Sequence, residues 1–194
     1  MILGMKPTDT YHHGHLREEL LRLGLKALET EGAEQISLRL LAERAGVSKT
    51  APYRHFDDRE AFMGALADEG FRLLCIALEH AGGSGSEKVS AMGKAYMDFA
   101  ITHPALYRLM NSPLVCRMPD ELMTWPRKSL VLLATSLAEA SSRKEGDGGI
   151  DINATVAAWG YIHGIVLIRI DGLFPGDLPE PDWDRLASVI PVLG

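Results

Sequence analysis

SLRLLAERAGVSKTAPYRHF, residues 37–56, holds two short helical patterns on either side of an Ala45-Gly46-Val47 turn. Leu38, Leu41, Ala42 and Ala45 recur at spacings of three and four, the apolar stripe of a helix that packs on one side only. Gly46 supplies the left-handed backbone that ends a helix without a side-chain clash. Val47 is an apolar plug, and Ser48 stands where its hydroxyl can cap a second helix. Lys49, Thr50, Ala51, Tyr53, Arg54 and His55 follow, small or hydrogen-bonding residues with few large apolar ones. Such a composition reaches base edges and phosphates and stays slim enough for a major groove. Phe56 returns to the core. The layout is that of a helix-turn-helix, in which the first helix braces and the second reads. Hairpins turning on glycine also occur where no nucleic acid is bound, so a helical adaptor that binds protein stays open on the turn alone.

Pro52 lies four residues past the expected cap, where it deletes an N–H and crowds the preceding turn. The first turn of a helix tolerates proline because most of its N–H groups lack partners anyway. A short or slightly unwound second helix is therefore expected.

The surrounding residues extend the pattern. An amphipathic stretch from Leu16 to Gly32 precedes it, Ala45-Gly46-Val47-Ser48 forms the turn, Tyr53-Arg54-His55-Phe56 closes it, and Arg59 follows. With these pieces the first third of the chain resembles the TetR-type transcriptional regulators. Tyr11-His12-His13-Gly14-His15-Leu16-Arg17 is similar to the lead-in of one branch of that family. The resemblance implies an all-α fold: a three-helix DNA-binding head over residues 11–60, and a helical ligand-binding and dimerisation body over 61–194. It implies that Ser37 and Arg39 lie beside the phosphate backbone, that Lys49, Thr50 and Ala51 face the groove, and that Ser48 belongs to the same DNA-binding set. Tyr53, His55 and Arg59 would contact phosphates. His12, His13 and His15 could add a contact or lie in a frayed end.

Composition fits this once the charge is divided. The 194 residues are 46% hydrophobic and 24% charged, an ordinary globular balance, with a net charge of −6. Residues 1–56 hold eight Lys/Arg against seven Asp/Glu, and the rest holds 12 against 19. The acidity lies away from the reading head, yet the head is barely basic, so its phosphate attraction should fade quickly with salt. The start lacks a signal-peptide core and no apolar run approaches roughly 18 residues, so a cytoplasmic location and no membrane span are expected. Cys75, inside the apolar run FRLLCIALEH, and Cys116 are too few for a disulfide framework or zinc site.

Beyond the head the sequence predicts helices broken by clear loops. One runs from Asp57 or Asp58 to about His80, with Phe62, Leu66, Leu73 and Ala77 on one face. AGGSGSE then breaks the pattern, and a helix through Val89, Met92, Tyr96 and Phe99 ends at His103-Pro104. Ala105 to Met110 form a short turn, 111–126 reads as loop, and helices follow at about 127–142, 152–171 and 183–190. No β alternation and no internal repeat is visible.

The helix over 152–171 carries the second informative pattern. Val156, Trp159, Gly160, His163, Gly164 and Leu167 follow three-and-four spacing, and Gly160 and Gly164 make a small-xxx-small pair that lets another backbone approach. A dimer interface through Gly160, Gly164 and Leu167 is expected. Trp159, His163 and Gly164 resemble the tryptophan–histidine–glycine signature in the ligand-binding part of one TetR branch, and HPALYRLM (103–110) resembles that branch too. Candidate pocket residues are Met92, Tyr96, Phe99, Tyr107, Met110, Trp125, Trp159 and His163, though aromatics at helical spacing also serve as plain core. His163 fits a buried histidine bonded to a backbone carbonyl. Arg169 and Asp171 could pair with each other, pair across a dimer, or stay solvated.

The resemblance thus implies a homodimeric repressor of a palindromic double-stranded operator, released by a small hydrophobic or aromatic effector, with no cofactor and no metal. Enzyme chemistry is poorly supported. GGSGS at 82–86 has Ser86 where a nucleophile elbow needs its second glycine, and no phosphate-binding loop occurs. His13 with His15, and Asp182 with Asp184, lack helical spacing or a third ligand.

Overall fold

The computed structural model describes residues 15–119, 124–141 and 150–190. The lead-in Tyr11-His12-His13-Gly14 therefore lies outside the described residues. Among these residues the fold is all-α, with eight α-helices and no strand. The described residues up to Phe62 pack as one compact unit and those from Met63 as another.

In the first unit, α1 (Leu16–Glu31) buries Leu16, Leu20, Gly24 and Leu28 along one stripe. Gly32, at φ 88°, stops it. After a 3-10 turn at Ala33–Gln35, α2 (Leu38–Arg44) buries Leu38, Leu41 and Ala42, the stripe expected from the spacing. Its end is a two-bond cap: Gly46 at φ 69° donates to Glu43 O (3.1 Å) and Val47 donates to Ala42 O (2.9 Å). Arg44 spans back to α1 with a forked bond to Glu31 (2.7 and 2.9 Å). Phe56 meets Phe62 edge-on at 4.9 Å, a geometry that contributes about 0.5–1.5 kcal/mol beyond burial.

α3 (Arg59–Glu79) starts under Asp58, whose carboxylate accepts the Ala61 N–H at 2.7 Å. Its buried stripe passes through Phe62, Leu66, Leu74 and Leu78. Leu73 and Ala77, expected on that face, are only half-buried. The steps of four between the buried positions continue through Gly70, where a Cβ would meet Met110 Sδ at 2.7 Å.

The second unit is organised around α4 (Gly85–Thr102), which packs on α5 (Pro104–Met110), α6 (Thr124–Ala140), α7 (Ile152–Ile170) and α8 (Trp183–Ser188). α4 begins inside the glycine-rich break, at Gly85, with Ser84 in extended backbone before it. α6 begins at Thr124 and takes in Trp125-Pro126, expected as loop. Proline costs little in a first turn, and the Trp125 N–H, left without an intrahelical acceptor, donates to Asp68 Oδ1 at 2.9 Å. Gly93 of α4 lies so close to α8 that a Cβ there would overlap the Ala187 carbonyl oxygen.

α7 is capped by Asp151, whose carboxylate accepts from the Asn153 and Ala154 N–H groups (2.9 and 3.1 Å). It buries Ala154, Ala158, Ile162 and Val166, one stripe in steps of four. The same helix leaves Ile152, Val156, Trp159 and Ile168 exposed. No helix among the described residues is long and apolar enough to cross a membrane.

Candidate functional site

The segment after the Gly46 cap is tighter than an α-helix. Ala51 donates to Ser48 O (2.9 Å) and Tyr53 to Thr50 O (3.3 Å), and a 3-10 turn covers Ala51–Arg54. Pro52 is the cause: it has no N–H to give, and its ring is buried in the head core, drawing the turn inward. Ser48 does not cap this element as expected. Its hydroxyl instead faces Thr50 Oγ1 at 3.2 Å, because the tight turn satisfies its N–H groups with backbone carbonyls.

With Pro52 and Phe56 buried, Ser48, Lys49, Thr50, Tyr53, Arg54 and His55 are exposed and Ala51 is half-buried. Tyr53 shows 45% of its surface to solvent, a large area for an aromatic ring with no core role. Ser37 and Arg39 are exposed at the start of α2. The structure therefore brings Ser37, Arg39, Ser48, Lys49, Thr50, Tyr53, His55 and Arg59 to the surface of one small unit, with Ala51 half-buried among them and His12 and His13 outside the described residues.

The cations of that unit divide into two groups. Arg22 is forked onto Glu19 (2.7 and 2.6 Å) and Arg44 onto Glu31. Arg17 lies over the Phe56 ring at 5.6 Å. Arg59 donates to Ile36 O (3.0 Å) and Ala33 O (2.6 Å), tying the start of α3 to the link before α2. Two of its three guanidinium nitrogens are thus spent on the fold, leaving Nη1. Lys26, Arg39, Lys49 and Arg54 have no side-chain partner among the described residues. The near-neutral charge of the head hides this, because the carboxylates Glu19 and Glu31 are consumed internally. Arg54 belongs to the composition that marks the reading segment, but the motif leaves its position open and assigns it no contact of its own.

In the second unit the structure joins four of the eight pocket candidates. Tyr96 of α4 and Tyr107 of α5 share a hydroxyl–hydroxyl bond of 3.0 Å, and Tyr107 Oη meets Nδ1 of His163 on α7 at 2.6 Å. Trp159 joins the cluster through His163, the two ring centroids lying 6.0 Å apart. Burial pushes both tyrosines above their ordinary range and pulls His163 below its own, so the cluster is uncharged near neutral pH. His163 is bonded to a tyrosine and not, as expected, to a backbone carbonyl, because Tyr107 is fully buried and its hydroxyl needs a partner. Of the other candidates, Met92 is core, Phe99 lies beside His103 at 5.3 Å, and Met110 fills the space over Gly70. Trp125 sits under the Lys128 ammonium at 4.0 Å. Arg169 and Asp171 do not pair: Arg169 lies over the Trp183 ring at 5.7 Å, and Asp171 accepts from Arg108 at 2.8 Å.

The open face of α7 carries Gly160 and Gly164. A Cβ on either would meet nothing within 4 Å. Leu167 is half-buried beside them.

Residues 20–66 match the family model described as bacterial regulatory proteins, tetR family, and residues 89–190 match that of the tetracyclin repressor-like C-terminal domain. A solved structure from Rhodococcus sp. RHA1, described as a protein with unknown function, is 32% identical with a TM-score of 0.74, covering 92% of this chain and 93% of that one. An HTH-type transcriptional regulator of Mycobacterium tuberculosis (strain H37Rv) is 27% identical over 100 residues, 49% of this chain and 43% of that protein. The tetracycline repressor protein class C of Escherichia coli is 42% identical over 52 residues, 27% of this chain and 24% of that protein. The matches to these curated relatives thus span less than half of their length.

Proposed function

Because the chain belongs to the tetR family of bacterial regulatory proteins, we propose that it is a cytoplasmic transcriptional repressor that binds a palindromic operator as a homodimer. Residues 11–60 are the reading head and 61–194 the effector-binding and dimerisation body. The observation that carries this reading is the exposed set Lys49, Thr50, Tyr53 and His55, mounted on a turn whose Pro52 and Phe56 are anchored in the core. A surface with that inventory, held rigidly from beneath, suits phosphate and base contact.

Dimerisation is supported by α7. A helix that is apolar all round is ordinarily buried all round, yet this one covers a single stripe and exposes Val156 and Trp159. Gly160 and Gly164 open that face to a partner backbone, with Leu167 at its edge. Since Gly164 has free space around it within one chain, Gly164→Leu should leave the protomer's melting temperature nearly unchanged and weaken the dimer. Sedimentation equilibrium checks this, and an undiminished dimer would move the interface elsewhere.

The Trp159–Tyr96–Tyr107–His163 cluster supports membership of the branch with the tryptophan–histidine–glycine signature. It would offer a small hydrophobic or aromatic effector a few fixed polar groups in apolar surroundings. An effector releases the operator only if it favours one spacing of the two heads over another. Heads about 34 Å apart fill both half-sites of a palindrome, and wider ones do not.

The test is selection of bound sequences from random duplex DNA at stated salt. Enrichment of a palindrome is expected. A folded dimer that enriches nothing at low salt would point to the protein-binding adaptor.

A further inference from the structure

A cleft of about 520 Å³ opens in the first unit beside the reading turn, lined by Leu16, Gly46, Val47, Ser48, Ala51, Arg54 and His55. Its walls come from the first residue of α1, the Gly46 turn and the 3-10 turn, so one wall is the candidate DNA-reading segment itself. No carboxylate is among the residues that line it. The two acids in the first turn of α1 are engaged: Glu18 faces His15 Nδ1 at 3.1 Å, and Glu19 holds Arg22. Arg54 is exposed and has no side-chain partner among the described residues. A free guanidinium beside a cleft of small and apolar residues presents planar donors over a surface that a sugar ring can approach.

Position within the turn separates phosphate from base. Residues at the start of a recognition helix reach base edges, and those further along meet the flanking backbone. Arg54 is the last residue of the 3-10 turn, after Lys49, Thr50 and Ala51 have taken the leading positions. We propose that this cleft seats one sugar–phosphate segment of the operator and that Arg54 clamps its phosphate. The inference rests on the DNA-binding reading above and adds to it a contact that the family pattern leaves unassigned.

The test is fluorescence anisotropy of the full chain on two duplexes of equal length, a palindrome recovered by selection and a random sequence, across a salt series. Arg54→Ala should weaken both duplexes by a similar factor, about tenfold or more for a charge-assisted contact made by each head. It should also lower the magnitude of the log–log salt slope by about 0.9 per head, roughly 1.8 for a dimer. Arg54→Lys, which keeps a point charge, should retain most of the slope. An unchanged slope in Arg54→Ala would overturn the clamp and leave the DNA-binding reading standing. A loss confined to one operator base pair would also overturn it, making Arg54 a base reader. Wild-type protein that binds neither duplex at low salt would sink the DNA-binding reading and the clamp together.

Discussion

Operator affinity should collapse in Lys49→Ala and in Tyr53→Ala, each by roughly a hundredfold or more, with folding and dimerisation intact. The size follows from the contact type and from doubling. One hydrogen bond to a charged group contributes about 1.5–3 kcal/mol, and a dimer makes it once in each head, so about 3 kcal/mol or more is lost. Each 1.4 kcal/mol is a factor of ten. The folds should survive because both side chains are exposed and Lys49 has no partner among the described residues. Electrophoretic mobility shift on the selected duplex, with circular dichroism as the control, makes the measurement. Tyr53→Phe separates the hydroxyl from the ring: recovery of affinity would mean that ring contact is what matters. Retained affinity in both alanine variants would remove this turn from the interface, whatever else the head binds.

Gly93→Ala should destabilise the body, against the ordinary preference of helices for alanine. Helix propensity alone favours the change by about 1 kcal/mol. Against it, the new Cβ would overlap the Ala187 carbonyl oxygen and lie 2.9 Å from Ile190 Cδ1. A backbone oxygen moves only if α8 moves with it, so the cost belongs at the upper end of the overpacking range, about 3 kcal/mol. The net loss of about 2 kcal/mol should lower the melting temperature by roughly 4–8 °C for a chain of this size. Gly64→Ala is the comparison: its Cβ would meet only the thioether end of Met118, a flexible side chain that can turn away. A higher melting temperature for Gly93→Ala would mean that α4 and α8 are further apart than described.

How much was legible in the residues depended on the range of the interaction involved. The Leu38-Leu41-Ala42 stripe and the Gly46 cap appeared as expected, because helix periodicity and a positive φ at glycine are local properties. An aspartate cap for α3 was expected at Asp57 or Asp58, and Asp58 makes it. The tightness of the reading turn was half-legible. Pro52 announced a disturbed helix, but only its burial against the head core explains why the segment closes as a 3-10 turn and leaves Ser48 without a capping role. The prolines around Trp125 predict a loop, and a bond from its N–H to Asp68, 57 residues away, holds it at a helix start instead.

Glycine spacing shows the boundary between the two kinds of information most sharply. The sequence by itself determined an all-helical chain with a helix-turn-helix near its start, and it marked Gly160 and Gly164 as a pair on one helical face. It could not say which helical glycine meets the backbone of another helix. Among the described residues Gly93, which stands in no motif, does so, while Gly160 and Gly164 face open space. Nor could it say which arginines are free, since Arg22, Arg44 and Arg59 are spent on acids and carbonyls and Arg54 is not. Periodicity and capping are fixed by neighbours within about four residues. Close approach and charge pairing are fixed by whichever elements folding brings together, and only the tertiary structure decides that.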